Sequence, residues 1–196
     1  MDEVRIHQKY TELLHSINEI IGVTEQRLFA GEPDKFFQDN MNFFVKAYLI
    51  TICTYLESYL KDIAYCRVEV VEGKLRQVYI PSNIVHWCVS GFKDVKVPKY
   101  ETLTLQIKKK DLGEQLSAQP YKTVEVFKLI GVELEKVAGF VEQKDHIKSM
   151  VNKRNNVIHH NDDASDVTLT DLRGHIDRVY LYMAAITAEV KSHNLR

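Results

Sequence analysis

The sequence predicts an all-α protein, an antiparallel bundle of four to five main helices with an irregular insertion at about residues 70–119. Four separate segments carry apolar residues at alternating three- and four-residue spacing, the mark of an amphipathic helix. Turn and cap residues fall between those segments, at Gly31-Glu32-Pro33-Asp34, Pro120, Gly131 and Thr168. Extended stretches are limited to two short pieces, too little to build a sheet.

The first helix presents Ile6, Tyr10, Leu13, Ile17 and Ile20, widened by Leu14 and Ile21, and Gly31-Glu32-Pro33-Asp34 ends it. A second helix follows through Phe44, Leu49, Ile52, Cys53, Leu56, Leu60 and Ile63. The connection is only a few residues, so these two form an antiparallel hairpin. From about Val70 to Gln119 the period is lost among Gly73, Pro81, Gly91, Pro98 and Gly113. Within that insertion Ser82 is placed to cap a short helix through Ile84, Val85 and Cys88 that stops at Gly91. Val78-Tyr79-Ile80 and Thr102-Leu103-Thr104-Leu105 are its candidate extended pieces.

Pro120 suits the first turn of a helix containing Val124, Phe127, Leu129 and Ile130, broken at Gly131. The penultimate helix carries Ile147, Met150, Val151, Arg154, Val157 and Ile158 and runs into the polar cluster His159-His160-Asn161-Asp162-Asp163. Thr168-Leu169-Thr170-Asp171 is an acidic form of the capping box that opens the last helix. There Leu172, Ile176, Val179, Met183, Ile186 and Val190 step by four and three in strict alternation, a seam suited to bundle packing.

At 196 residues the chain fits one domain, residues 1–196, with a core large enough to need neither disulfides nor structural metal. A net charge of -1 argues against a surface coated in positive charge, so any nucleic-acid role must rest on a local site. Cys53, Cys66 and Cys88 form no C-x-x-C pair and have no histidine at zinc-finger spacing, which fits a reducing compartment. With no signal-peptide start and no run of about 18 apolar residues, the expectation is a cytoplasmic protein with no membrane partner.

The chain lacks a glycine-rich phosphate loop, a G-x-S-x-G elbow and an H-E-x-x-H pair. Its one adjacent histidine pair, His159-His160, would point about 100° apart on a helix, a poor start for shared metal ligation. No metal is therefore expected. Arg154 stands out, because stepping from Ile147 through Val151 places it on an otherwise apolar stripe that continues to Ile158. A guanidinium there keeps its charge, so it must pair with an anion, reach solvent at the bundle's end, or face a partner subunit. Asn155 and His159 are four apart on one face, where the amide can orient the imidazole or share its ligand. Arg154 and His159 are five apart, about 140° around an ideal helix, which favours a site shared across a dimer.

Arg154-Asn155 followed by His159 at a helix end, with a short loop and a final amphipathic helix beyond, resembles the HEPN superfamily, whose pattern is arginine, four to six residues, then histidine. The run Tyr55-Leu56-Glu57-Ser58-Tyr59-Leu60-Lys61-Asp62-Ile63 also resembles the Leu-Glu-x-x-Leu region of the RiboL-PSP-HEPN-like, defence-associated branch. The resemblance covers roughly residues 42 to 66 and 121 to 190. It implies a HEPN-like bundle and an endoribonuclease needing no metal or other cofactor, in which two protomers face their motifs across a two-fold axis. It also implies that His159 acts as general acid or base, that Arg154 stabilises the phosphorane transition state, and that Asn155 positions the phosphate or the histidine. Two positions depart from the pattern. His160 stands where many relatives have glycine, and it is a candidate to share the acid–base work. Asn161 stands where relatives modified by a partner nucleotidyltransferase carry tyrosine, which argues against that subtype.

Glu57 flanks the apolar stripe between Cys53 and Leu60, so it is the candidate to hold Arg154; a solvated helix edge is its other reading. Lys108, Lys109 and Lys110, with Lys93, Lys96 and Lys99 nearby and Lys153 on the motif helix, are candidate RNA contacts, and a lysine run also fits a plain solvated surface. Tyr65, Tyr79, Trp87 and Tyr100 are candidate base-stacking residues, although Tyr65 fits the core as well. The resemblance implies a homodimeric ribonuclease of RNA restriction, a toxin–antitoxin pair or phage defence, with RNA and an antitoxin or operon product as partners. A non-catalytic helical module binding RNA, a nucleotide or a protein, and a purely structural bundle, remain as alternatives.

Overall fold

A computed structural model describes residues 2–90, 101–160 and 163–195. Among them the secondary structure is helical: α1 (Glu3–Leu28), α2 (Lys35–Asp39), α3 (Met41–Arg76), α4 (Ser82–Ser90), α5 (Lys109–Gln115), α6 (Pro120–Leu129), α7 (Ala138–His159) and α8 (Leu169–Asn194), with a 3₁₀ turn at Leu134–Lys136. The all-α bundle is as the periodicity predicts.

Four long helices make the bundle, and cross-contacts fix their directions. Thr24 meets Tyr48 and Tyr10 meets Asp62, so α1 runs antiparallel to α3 as the short connection requires. The hydroxyl of Tyr59 reaches Thr187 and Arg67 reaches the carbonyl of His193, so α3 and α8 lie side by side in parallel. Phe140 stacks on Tyr182 and Gly139 lies against Ala185, while His146 meets His175, so α7 is antiparallel to α8. The core is one contiguous apolar cluster centred on α3 and α8, with α1 and α7 flanking them. Each fully buried Leu, Ile or Phe in it contributes about 1.5–3 kcal/mol relative to exposure.

Local chemistry explains the boundaries. Asp2 caps α1 by accepting from the Arg5 amide at 2.8 Å, and Asp34 caps α2 by accepting from the Phe36 amide at 3.0 Å. Thr168 and Asp171 form the expected capping box of α8, exchanging amide bonds of 3.1 and 2.9 Å. All six residues of the α8 seam are completely buried. Pro120 opens α6, and Gly131, with φ of +79°, provides the left-handed residue that lets the chain turn away after it.

Several details differ from the sequence reading. The helix expected to end near Val70 continues to Arg76, giving α3 36 residues and a length of about 54 Å. The irregular segment therefore starts at Gln77, and Gly73 stands inside the helix at a cost of about 1 kcal/mol relative to alanine. The extended pieces form no named strand among the described residues; they make a single antiparallel bridge between Pro81 and Thr102. Ser82 is the first residue of α4, and its hydroxyl donates to the Glu101 carbonyl at 3.0 Å. On α1 the buried line runs through Leu14 and Ile21 rather than Ile20, which is half-exposed, and Leu129 on α6 faces outward. Gly91, Lys93, Lys96, Pro98, Lys99, Tyr100, Asn161 and Asp162 lie outside the described residues.

Candidate active site

The penultimate helix delivers the motif to one end of the bundle. Helix α7 stays α-helical to His159, and the His160 amide closes its last turn on the Asn156 carbonyl at 2.9 Å. Beyond it the connection to α8 is pinned on two sides. Asp163 lies 3.5 Å from Lys46 of α3, and Asp166 pairs with Lys153 of α7. Ala164 in this connection adopts a left-handed φ of +52°, a strained conformation for a residue with a Cβ.

Arg154 faces α3. Its side chain is 18% exposed, and one terminal nitrogen lies 3.3 Å from Oε2 of Glu57. The other carboxylate oxygen of Glu57 accepts from Lys61 at 2.7 Å, so a single carboxylate is shared by two cations. Arg154 Nε is buried without an acceptor among the described residues, where Glu57 meets the guanidinium through one nitrogen and not as a two-point fork. One turn before Glu57, Cys53 is fully buried beside the arginine. Burial pushes its thiol up to about 12, against the opposing pull of the Arg154 charge, so it stays a neutral thiol and forms an apolar floor.

His159 points elsewhere. The last helical turn buries Val157 and leaves Ile158, His159 and His160 exposed, so the apolar line passes through Val157 rather than the expected Ile158. Arg154 and His159 remain about 140° apart around α7 because the helix is neither kinked nor unwound between them. Asn155 is half-buried on the His159 face, yet neither side chain makes a hydrogen bond to another described residue. The structure thus brings together Arg154 and Glu57, leaves His159 and half-buried Asn155 on a separate face, and leaves His160 exposed at the helix end.

The candidate RNA-binding lysines divide. Lys109 of α5 pairs with Asp62 of α3, whose carboxylate also receives Lys9 at 3.2 Å and the Tyr10 hydroxyl at 2.8 Å. Lys110 lies 3.7 Å from Glu114, and Lys108 is exposed at the start of α5. Lys153 is mostly covered and tied to Asp166. Tyr79 and Trp87 are exposed, whereas Tyr65 packs against the core. Lys61 was missed in the sequence reading, although a glutamate four residues before a lysine is a readable helical pair. Among the described residues no three His, Cys, Asp or Glu side chains converge to hold a metal ion.

Arg154 thus lies against Glu57 of α3 near the end of the penultimate helix, and His159 is exposed in that helix's last turn. The RiboL-PSP-HEPN family model matches residues 9–192. The chain belongs to the RiboL-PSP-HEPN family. The match spans nearly the whole chain, so this HEPN protein includes the 77–119 segment and α1 from Lys9 onward within the family region. No curated protein and no solved structure matches it. HEPN membership supports a nuclease- or RNA-related module. Among the described residues no helix is long and apolar enough to cross a membrane.

Proposed function

We propose that this HEPN protein is a metal-independent endoribonuclease that works as a homodimer, one domain per protomer, in the cytoplasm. The observation that carries the reading is the division of the motif: Arg154 is anchored against α3 while His159 stands exposed around the same helix. Two copies meeting at the ends of their α7 helices would place the arginine of one near the histidine of the other and give the active site both functions.

The chemistry follows from those groups. One imidazole takes the proton of a ribose 2′-hydroxyl, the 2′-oxygen attacks phosphorus, and the P–O5′ bond breaks as the second imidazole protonates the leaving oxygen. The products are a 2′,3′-cyclic phosphate and a 5′-hydroxyl end. Arg154 offsets the extra negative charge on the phosphorane with a planar, permanently charged donor set. Asn155 shares the His159 face and is placed to steer the imidazole or the phosphate, and His160 is the neighbouring candidate for proton transfer. RNA restriction, a toxin–antitoxin pair or phage defence, with an antitoxin or operon partner, is the setting such an activity fits.

The test is cleavage of labelled RNA in EDTA by the wild type, His159→Ala and Arg154→Ala, with cyclic-phosphate ends expected from the wild type alone. Equal cleavage by all three removes the proposal. One observation favours a second reading, a non-catalytic RNA-binding module: the His159 ring makes no hydrogen bond to a described residue that would orient it for proton transfer. That reading expects RNA binding by wild type and His159→Ala alike, with no turnover by either.

A further inference from the structure

Glu57 poses an electrostatic problem for an arginine that must attract a phosphodiester. A carboxylate 3.3 Å from the guanidinium cancels its charge at short range, and the approaching phosphate meets both. The structure supplies a counter-charge. Lys61, one turn along α3, donates to Glu57 at 2.7 Å, a shorter contact than Arg154 makes with the same group. The three side chains together carry one net positive charge, where the Glu57–Arg154 pair alone carries none.

Lys61 is also held in place by the fold. Helix α5 crosses over it, and a Cβ added at Gly113 would lie 3.9 Å from both Cδ and Cε of Lys61, so the lysine stem packs against the α5 backbone. In the same helix Lys109 pairs with Asp62, the residue after Lys61, which clamps α5 to α3. The ammonium is consequently directed back along α3 toward Glu57, and its side chain is only 29% exposed.

We propose that Lys61 is a positioning residue of the Arg154 site: by neutralising Glu57 it leaves the Arg154 charge available to an RNA phosphodiester. This rests on the reading of Arg154 as the phosphate-binding group. An ordinary surface i,i+4 pair would contribute a little helix stability and nothing to ligand affinity. The two cases separate in a double-mutant cycle, since Lys61 matters to affinity only while Glu57 carries a charge.

The experiment measures the Kd of a short fluorescent single-stranded RNA by anisotropy in the His159→Ala background, where no cleavage occurs, for Lys61→Met, Lys61→Arg, Glu57→Gln and the Lys61→Met/Glu57→Gln pair. Methionine keeps the stem that packs under α5. Lys61→Met is expected to weaken binding about tenfold and Lys61→Arg to stay within about threefold of the parent. In the Glu57→Gln background Lys61→Met is expected to change Kd by less than about twofold, the non-additivity of a coupled pair. An unchanged Kd in Lys61→Met, an equal loss in both backgrounds, or no RNA binding by the parent overturns the proposal. Tight, Lys61-dependent binding by a wild type that never cleaves RNA overturns the ribonuclease reading while supporting the role of Lys61.

Discussion

Nε2 of His146 on α7 lies 2.9 Å from Nδ1 of His175 on α8, so two imidazoles from the two helices that bracket the motif share one proton between facing nitrogens. They form a seam on the helix pair that carries the candidate site at its far end. Burial lowers the His175 pKa to about 4, with His146 reinforcing and Asp171 opposing the shift. Burial also lowers His146, helped by the nearby Arg178, itself 3.3 Å from Gln143.

Stability should therefore fall in acid over a defined window. Below the ordinary histidine value of 6.5 the unfolded chain binds protons that folded His175 refuses until about pH 4, so stability is fully present above 6.5 and is lost as pH falls toward 4. Because the pair is partly solvated, the loss is expected to be no more than about 2 kcal/mol. Urea midpoints of the wild type and a His146→Gln/His175→Gln variant, followed from pH 7.5 to 4.5, measure it. Identical pH dependence in both proteins would show that the pair contributes nothing.

Tyr59 offers a test of the α3–α8 contact. Its ring is completely buried, and its hydroxyl lies 2.8 Å from both the Met183 carbonyl and the Thr187 hydroxyl. Tyr59→Phe leaves the ring and removes both hydrogen bonds, although Thr187 keeps His7 Nδ1 at 3.2 Å, and is expected to cost about 1–2 kcal/mol. For a chain of this size that lowers Tm by about 2–8 °C, read by differential scanning calorimetry.

Gly139 of α7 packs tightly against α8, where an added Cβ would lie 3.2 Å from the Ala185 Cβ. Gly139→Val should destabilise by about 1–3 kcal/mol through overpacking. Ala185→Gly in the same chain should recover part of that loss. Additive losses in the double variant would place the strain elsewhere.

The three thiols should react in two classes. Cys88 is exposed, while Cys53 and Cys66 are buried, and burial raises their pKa values to about 12 and about 11. A thiol-disulfide indicator at pH 8 is expected to titrate one cysteine rapidly and the other two only on unfolding. Rapid reaction of Cys53 would mean that the face behind Arg154 opens readily.

The elements most legible in the sequence were those governed by local chemistry or by a long apolar period. The α8 seam, the Thr168–Asp171 capping box and Pro120 at the start of α6 each follow from spacing or backbone geometry alone. Gly73 interrupts the pattern over residues 70–76, yet the helix continues through it to Arg76, since one interior glycine costs only about 1 kcal/mol. The Pro81–Thr102 bridge and the hydrogen bond from Ser82 to Glu101 depend on a chain reversal that no local pattern encodes.

The sequence by itself determined that the chain is helical, that Arg154 and His159 occupy the last turns of one helix, and that five residues separate them around its axis. Those properties are set by the 3.6-residue repeat, which every local segment obeys. Tertiary structure decided which neighbour each motif residue meets. Only the crossing of α3 and α7 puts Glu57 against Arg154, and only the docking of α5 on α3 packs Lys61 beneath Gly113 and pairs Lys109 with Asp62. Such contacts join residues tens of positions apart, and their pairing is selected by the packing of the whole core rather than by the period of any one helix.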